Sequence, residues 1–181
     1  CGRGAEGARA LALIDEMCKR VLQPNEVTCN AVISACGRAT LADKAVSVMD
    51  QMGERQVTPT VISYNAAITA CEKAAWPKSA AGLLARAAAQ RLRPDVISYN
   101  AAISACEKGK RPGMALKLLE EMVAAGLDPD VITYSATISA CEKGARPDDA
   151  MRLLLQMVER RLAPDLIACS AAISACEKGA L

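Results

Sequence analysis

The sequence predicts an all-α fold, an α–α superhelix in which antiparallel helix pairs stack as a solenoid. Three observations predict it. A stretch of fixed length recurs: Val61 opens VISYNAAITACEKA, Val96 opens VISYNAAISACEKG, Val131 opens VITYSATISACEKG and Leu166 opens LIACSAAISACEKG, each 35 residues after the last. Glu26 opens a looser copy, EVTCNAVISACGRA. Prolines keep the same period at Pro24, Pro59, Pro94, Pro129 and Pro164. Each period also holds two apolar stripes at helical spacing. A fixed period of this length marks a repeat array, in which each unit buries its apolar face against its neighbours.

Taken in order, residues 1–25 read as a second helix alone, residues 26–60, 61–95, 96–130 and 131–165 as full units, and residues 166–181 as a first helix alone. The array runs through the chain as one domain without a linker. Both termini fall mid-unit, which suggests a piece of something longer. Neither end carries a polar cap, so both terminal faces should be sticky in isolation.

In the unit at 96–130, the first helix runs roughly from Ile97 to Lys108, with Tyr99, Ala102, Ile103 and Cys106 on one face. Gly109 follows as a helix stop, repeated by Gly144 and Gly179 and replaced by Ala39 and Ala74. Pro112 opens the second helix, where its missing N–H costs nothing; Pro77 and Pro147 match it, and Ala42 does not. The second helix buries Ala115, Leu118, Leu119 and Met122 and turns Lys117, Glu120 and Glu121 outward. That stripe is core, not a cofactor site. Trp76 is expected to pack on the inter-helix turn.

Composition narrows the function classes. The chain has no histidine, which removes the commonest general base, the usual catalytic triads and mixed Cys/His zinc patterns. No nucleophile–base pair, phosphate loop or carboxylate cluster replaces them, so neither catalysis, a cofactor nor a metal is expected within this stretch, while chemistry on an appended domain beyond either end stays open. No apolar run is long enough for a membrane span, and the chain reads as soluble. The net charge of +2 is too small to announce a nucleic-acid partner, so a basic surface must come from arrangement. Of nine cysteines, Cys1, Cys36, Cys71, Cys106, Cys141 and Cys176 form one column at the repeat period. Stacked helices set equivalent residues about 8–10 Å apart, beyond the ~7 Å limit for a bridge. The column is expected to be buried and reduced, acting as small apolar side chains in a reducing compartment.

The first helix has a second ordered face. Ile97, Asn100, Ser104 and Lys108 cluster opposite the Tyr99/Cys106 stripe. In a stack this face recurs by column: Val27, Ile62, Ile97, Ile132 and Ile167; then Asn30, Asn65, Asn100, Ser135 and Ser170; then Arg38, Lys73, Lys108, Lys143 and Lys178. An aliphatic residue, a hydrogen-bonding residue and a cation recur together. Flat apolar side chains can sandwich planar bases, and the cations can meet a phosphate backbone. Each column also has a plain structural reading. The Asp residues after the prolines can be N-caps, the Asn and Ser can be merely solvated, and the cations can serve the helix dipole. The convergence of the columns on one side favours the binding reading.

The 35-residue period, the V-x-[ST]-Y-[NS] opening, the helix–turn–helix pattern and the closing P-D resemble the pentatricopeptide repeat family. The resemblance covers essentially the whole chain. It departs in the unit at Glu26, which closes Pro59–Thr60, in Ala- and Cys-rich cores, and where Cys29 and Cys169 replace Tyr. The resemblance implies a modular binder of single-stranded RNA, one base per repeat, acting in RNA processing or stability in the mitochondrion or chloroplast. It also implies base choice by pairs: Asn30 with Thr60, Asn65 with Asp95, Asn100 with Asp130, and Ser135 with Asp165, while Asn25 and Ser170 each lack a partner. By that analogy Asn with Asp reads U, Ser with Asp reads G, and Asn with Thr leans to a pyrimidine. The implied site is pyrimidine-U-U-G, with the N-terminal repeat toward the 5′ end. The alternative is a protein-binding scaffold of the tetratricopeptide type, whose 34-residue period and Trp/Leu-Gly/Tyr signature the sequence lacks.

Overall fold

A computed structural model describes residues 3–179, with side chains from residue 5 onward. Among these residues there are ten helices and no strand. They are α1 (Arg3–Lys19), α2 (Glu26–Arg38), α3 (Ala42–Glu54), α4 (Val61–Lys73), α5 (Pro77–Ala89), α6 (Val96–Lys108), α7 (Pro112–Ala124), α8 (Val131–Lys143), α9 (Pro147–Glu159) and α10 (Leu166–Gly179). The chain divides into two compact units, Cys1–Pro94 and Asp95–Leu181. In the first, α2 packs on α1, α3 and α4, and α4 also packs on α3 and α5. In the second, α8 packs on α6, α7, α9 and α10. Within each unit the first helix of one pair therefore lies against the first helix of the next.

The apolar stripes fill the space between these helices. Tyr99, Ala102, Ile103 and Cys106 are buried on α6, and Ala115, Leu118, Leu119 and Met122 on α7. The first unit repeats this with Tyr64, Ala67, Ile68 and Cys71 against Ala80, Leu83, Leu84 and Ala87. Truncating a fully buried Ile such as Ile138 to Ala costs about 2–5 kcal/mol.

The helix starts follow from the proline-plus-cap pattern. Asn25, Thr60, Asp95 and Asp130 hold extended backbone before α2, α4, α6 and α8. The side chains of Asn25, Asp95 and Asp130 accept from the backbone N–H three residues on, satisfying a donor the helix cannot. Pro77, Pro112 and Pro147 open α5, α7 and α9 as expected.

The helix ends correct the sequence reading. Gly109 and Gly144 keep negative φ values of −81° and −100° and are not the left-handed residues. That conformation falls one residue later, on Lys110 and Ala145, and likewise on Thr40 and Ala75. Non-glycine residues there cost about 1–2 kcal/mol each. A six-residue hydrogen-bonded closure offsets the cost: Arg146 N–H donates to Cys141 O at 3.0 Å and Arg111 N–H to Cys106 O at 2.9 Å. The glycines serve close approach instead. A Cβ on Gly144 would lie 2.3 Å from Pro112 Cγ, and one on Gly179 would lie 2.4 Å from Pro147 Cγ.

Cys36, Cys71, Cys106 and Cys141 are buried and free, and burial pushes the last three thiols up to about 11. Cys176 breaks the expected column: it is exposed on α10, the last described helix. Cys1 lies outside the described residues. Trp76 stands at the turn into α5 as its N-cap, with 42% of its surface exposed. No described helix is long and apolar enough to cross a membrane.

Candidate nucleic-acid interface

In the first unit, Val27 and Ile62 stand at the second residue of α2 and α4 and are 74% and 66% exposed. Such exposure is costly for aliphatic side chains, since burying one fully is worth about 1.5–3 kcal/mol. Asn30 and Asn65 follow one turn later, half-buried, and Arg38 and Lys73 end the two helices, exposed. Between α2 and α4 runs an open groove of about 470 Å³ lined by Ser34, Arg38, Ile62, Asn65, Thr69 and Lys73. All three predicted columns thus meet in a single depression, through Ile62, Asn65 and the cations Arg38 and Lys73. Among the described residues neither Arg38 nor Lys73 has an ion pair.

The pair Asn30 and Thr60 is joined through a third residue. Glu26 Oε1 accepts from Thr60 Oγ1 at 2.7 Å and from Asn30 Nδ2 at 3.3 Å. Asn30 Oδ1 is buried and has no partner. Asn25 is an N-cap, accepting from the Thr28 backbone N–H and hydroxyl, both at 2.9 Å.

In the second unit, Ile97, Ile132 and Ile167 are 65%, 65% and 61% exposed. Asn100 Nδ2 donates to Asp130 Oδ2 at 3.3 Å and Oδ1 at 3.2 Å. Asp130 Oδ1 also accepts from Thr133 N–H at 2.8 Å, so one carboxylate both caps α8 and holds Asn100. Thr133 Oγ1 lies 2.5 Å from Asn100 Oδ1 and 2.8 Å from Asp130 Oδ1, with one hydroxyl proton to serve both. Burial raises the Asp130 pKa, but the hydrogen bonds from Thr133, Asn100 and the Ile132 backbone outweigh it and hold the carboxyl below its ordinary value. Ser135 Oγ donates to Asp165 Oδ1 at 3.0 Å, and the same oxygen accepts from Ala168 N–H at 2.8 Å. The cap reading and the pairing reading of these aspartates are therefore compatible.

Ser135 corrects one expectation: it is only 5% exposed, covered where it meets Asp165 rather than standing clear of the packing. Ser170 is exposed on α10. Asp95 caps α6 through Ser98 N–H at 2.9 Å. The cations differ among themselves. Lys143 Nζ donates to Glu107 Oε1 at 2.6 Å, and Lys178 pairs with Glu142, which also accepts from Ser174 Oγ at 3.2 Å. Lys108 is exposed at the end of α6. The Lys178 hydrogen bond is the main cause holding the Glu142 carboxyl below its ordinary value. A separate groove of about 360 Å³ between α7 and α9, on Leu119, Tyr134 and Leu153, touches none of the predicted site residues.

Sequence reasoning missed Glu26 and Thr133. The signal for Thr133 was present, since Asp130-x-x-Thr133 and Asp95-x-x-Ser98 have capping-box spacing with a hydroxyl in place of Glu or Gln. Nothing local marks Glu26; only its column, otherwise Val or Leu, sets it apart.

The comparisons agree with the repeat fold. Family models match at residues 94–143 (PPR repeat family), 12–74 (pentatricopeptide repeat domain) and 132–162 (PPR repeat). No curated protein is a match for the sequence. The crystal structure of the pentatricopeptide repeat protein PPR10 from maize is similar at a TM-score of 0.75 and 26% identity, over 97% of this chain and 26% of that one. PPR10 in complex with an 18-nt psaJ RNA element is similar at 0.71 and 25%, over 90% and 24%. The nuclear proteinaceous RNase P 2 of A. thaliana shares the fold at 0.82 and 16%, over 99% and 41%. The chain thus spans about a quarter of the PPR10 structures. With repeat models on both units and helix pairs stacked at the repeat period, the chain belongs to the pentatricopeptide repeat family.

Proposed function

We propose that this chain binds single-stranded RNA one base per repeat, without catalysing a reaction on it. The observation that carries the reading is the pairing of Asn100 with Asp130 and Ser135 with Asp165, each on a first helix that begins with an exposed Ile. An amide held by a carboxylate offers a fixed donor and acceptor to a base edge, while the exposed aliphatics offer apolar faces to its plane. The groove holding Arg38 and Lys73 adds unpaired cations for phosphate. PPR10, 25% identical over 90% of this chain, has been solved with RNA bound, which supports RNA binding here.

The preferred site is pyrimidine-U-U-G, read 5′ to 3′ from the N-terminal repeat. Stacking is worth roughly 1–3 kcal/mol per base, and association costs of about 4–15 kcal/mol oppose it, so binding by this chain alone is weak. Fluorescence anisotropy with labelled oligonucleotides in low salt tests the reading. The site should bind more tightly than its complement, and equal binding overturns it. The same resemblance assigns the work to mitochondrial or chloroplast RNA processing or stability. A fluorescent fusion of the full protein found in neither organelle overturns that assignment.

A further inference from the structure

The unit from Glu26 to Thr60 departs from the others twice. Thr60 stands where Asp95, Asp130 and Asp165 stand, and Glu26 stands where Val61, Val96, Val131 and Leu166 stand. The two departures meet in space. Glu26 Oε1 accepts from Thr60 Oγ1 at 2.7 Å and from Asn30 Nδ2 at 3.3 Å. In the unit from Val96 to Asp130, Asn100 Nδ2 gives its hydrogen bonds to the Asp130 carboxylate at 3.2 and 3.3 Å. The same amide nitrogen is bound by a carboxylate in both units. In one it comes from the cap of the next repeat's first helix, and in the other from four residues earlier on the same helix.

The other end of the amide differs. Thr133 Oγ1 lies 2.5 Å from Asn100 Oδ1, whereas Asn30 Oδ1 is buried with no partner. A carboxylate takes only donors, so Glu26 turns Nδ2 toward itself and Oδ1 away. An unpaired buried carbonyl is unfavourable until a donor reaches it.

We infer that Glu26 supplies the missing carboxylate of this unit and makes its base position select uracil over cytosine. A neutral Asn–Thr pair ends in a hydroxyl that donates or accepts, and so takes either pyrimidine. A carboxylate only accepts. It favours the N3–H of uracil and repels the N3 lone pair of cytosine. The site becomes UUUG. This rests on the RNA-binding reading above and sharpens it at one position. Glu26 also sits in the first turn of α2, where its charge suits the helix dipole. That role is blind to base identity, so the test reads base identity.

The test uses the chain as it stands and two variants, Glu26→Gln and Glu26→Gln with Thr60→Asp. Each is titrated with UUUG, CUUG and UUCG in identical flanks. The parent should favour UUUG over CUUG by about tenfold or more, Glu26→Gln should bring the two within about twofold, and the added Thr60→Asp should restore the preference. UUCG reports on Asn100 and Asp130 and should be penalised in all three proteins. A parent that penalises UUCG but not CUUG, or a Glu26→Gln variant that keeps the parent's preference, overturns the role of Glu26 and leaves RNA reading intact. No penalty on UUCG either overturns both.

Discussion

Pro112 and Gly144 interlock: a Cβ on Gly144 would lie 2.3 Å from Pro112 Cγ and 2.9 Å from Cδ, so the proline ring occupies the space of a methyl group. The two residues open α7 and end α8, and Pro147 with Gly179 repeats the arrangement. In the first unit the same columns hold Ala42 and Ala74, and Gly7 faces Ala39 with a hypothetical Cβ distance of 2.8 Å. Size is thus exchanged between the columns.

Gly144→Ala should therefore destabilise the protein by about 1–3 kcal/mol, the usual cost of overpacking. Pro112→Ala in the same chain should recover much of that loss, because alanine pairs with alanine where Ala42 and Ala74 stand. A double-mutant cycle by urea unfolding measures the coupling. Strictly additive costs would mean that the two residues do not share this space.

The stripes of α6 and α7 were legible because their periodicity is set by burial, and burial left a pattern in Ala, Leu, Ile and Cys. The pairing of Asn100 with Asp130 was legible only by column, since the residues are 30 apart and no local rule joins them. What was illegible depended on volume or on a single atom. The glycine at position 144 reads as a helix stop in sequence, yet the left-handed residue is Ala145 with φ 51°. Composition at a turn does not reveal which of two adjacent residues bends. Ser135 reads as exposed by its angle on the helix, yet its bond to Asp165 covers it. Glu26 reads as an ordinary first-turn acid, and only coordinates show where its carboxylate ends.

Asp130 links stability to acid. Burial raises its pKa, but hydrogen bonds from Thr133, Asn100 and the Ile132 backbone bring it below its ordinary 3.8. The stability a depressed carboxyl supplies is complete above the unfolded value and is lost as pH falls through the folded one. Asp130→Ala should cost about 0.5–2 kcal/mol at neutral pH through the lost cap. The gap between variant and parent should then narrow below about pH 4. Thermal unfolding at pH 7 and pH 3 checks this, and an equal gap at both would mean that ionisation at Asp130 is not coupled to folding.

The thiols should divide by burial. Cys71, Cys106 and Cys141 are buried and their thiols are pushed up to about 11, so little nucleophilic thiolate exists near neutral pH. Alkylation of the folded protein at pH 8 should modify Cys18 and Cys176 and spare these three until denaturant is added. Rapid modification of Cys106, or a defined set of intramolecular bridges in non-reducing mass analysis, would contradict the packing role of the column.

The cations should not be equivalent toward RNA. Lys143 is engaged by Glu107 at 2.6 Å, whereas Gly37 stands one repeat before the Glu72, Glu107 and Glu142 column and leaves Lys73 without such a carboxylate. If Arg38 and Lys73 meet phosphates, changing either to Ala should lower the salt slope of binding by roughly 0.7, the share of one neutralised phosphate on a single strand. Lys143→Ala should change it less, because the ion pair must open first. Exposed pairs are worth only about 0–1 kcal/mol, so an equally large drop in slope at Lys143 would show that Glu107 releases it on binding. Unchanged slopes at Arg38 and Lys73 would return both to a helix-dipole role.

The sharpest test of base reading lies at Ser135. It donates to Asp165 Oδ1 at 3.0 Å, while Asn100 in the preceding repeat offers an amide to Asp130 at 3.2 Å. A uracil edge has one N–H between two carbonyls, which suits an amide donor beside a carboxylate acceptor. A guanine edge has two N–H donors on a wider ring, and the short hydroxyl of Ser135 leaves room for it. Ser135→Asn should therefore move the fourth position from G to U. Ser135 is 5% exposed, yet the equivalent position of the preceding repeat holds an amide, Asn100, in the same pairing with an aspartate. Asn100 fits the same place opposite Thr133, and the residue opposite Ser135 is the smaller Ala168. Ala168 has no hydroxyl to meet the new amide oxygen, which stays open to the base. A wrong base costs about 1–3 kcal/mol, or roughly five- to 150-fold in affinity. The experiment sets parent and variant against UUUG and UUUU in identical flanks, with thermal unfolding to confirm that the variant stays folded. If both proteins prefer the same fourth base while both are folded, Ser135 and Asp165 form a structural pair and do not read RNA.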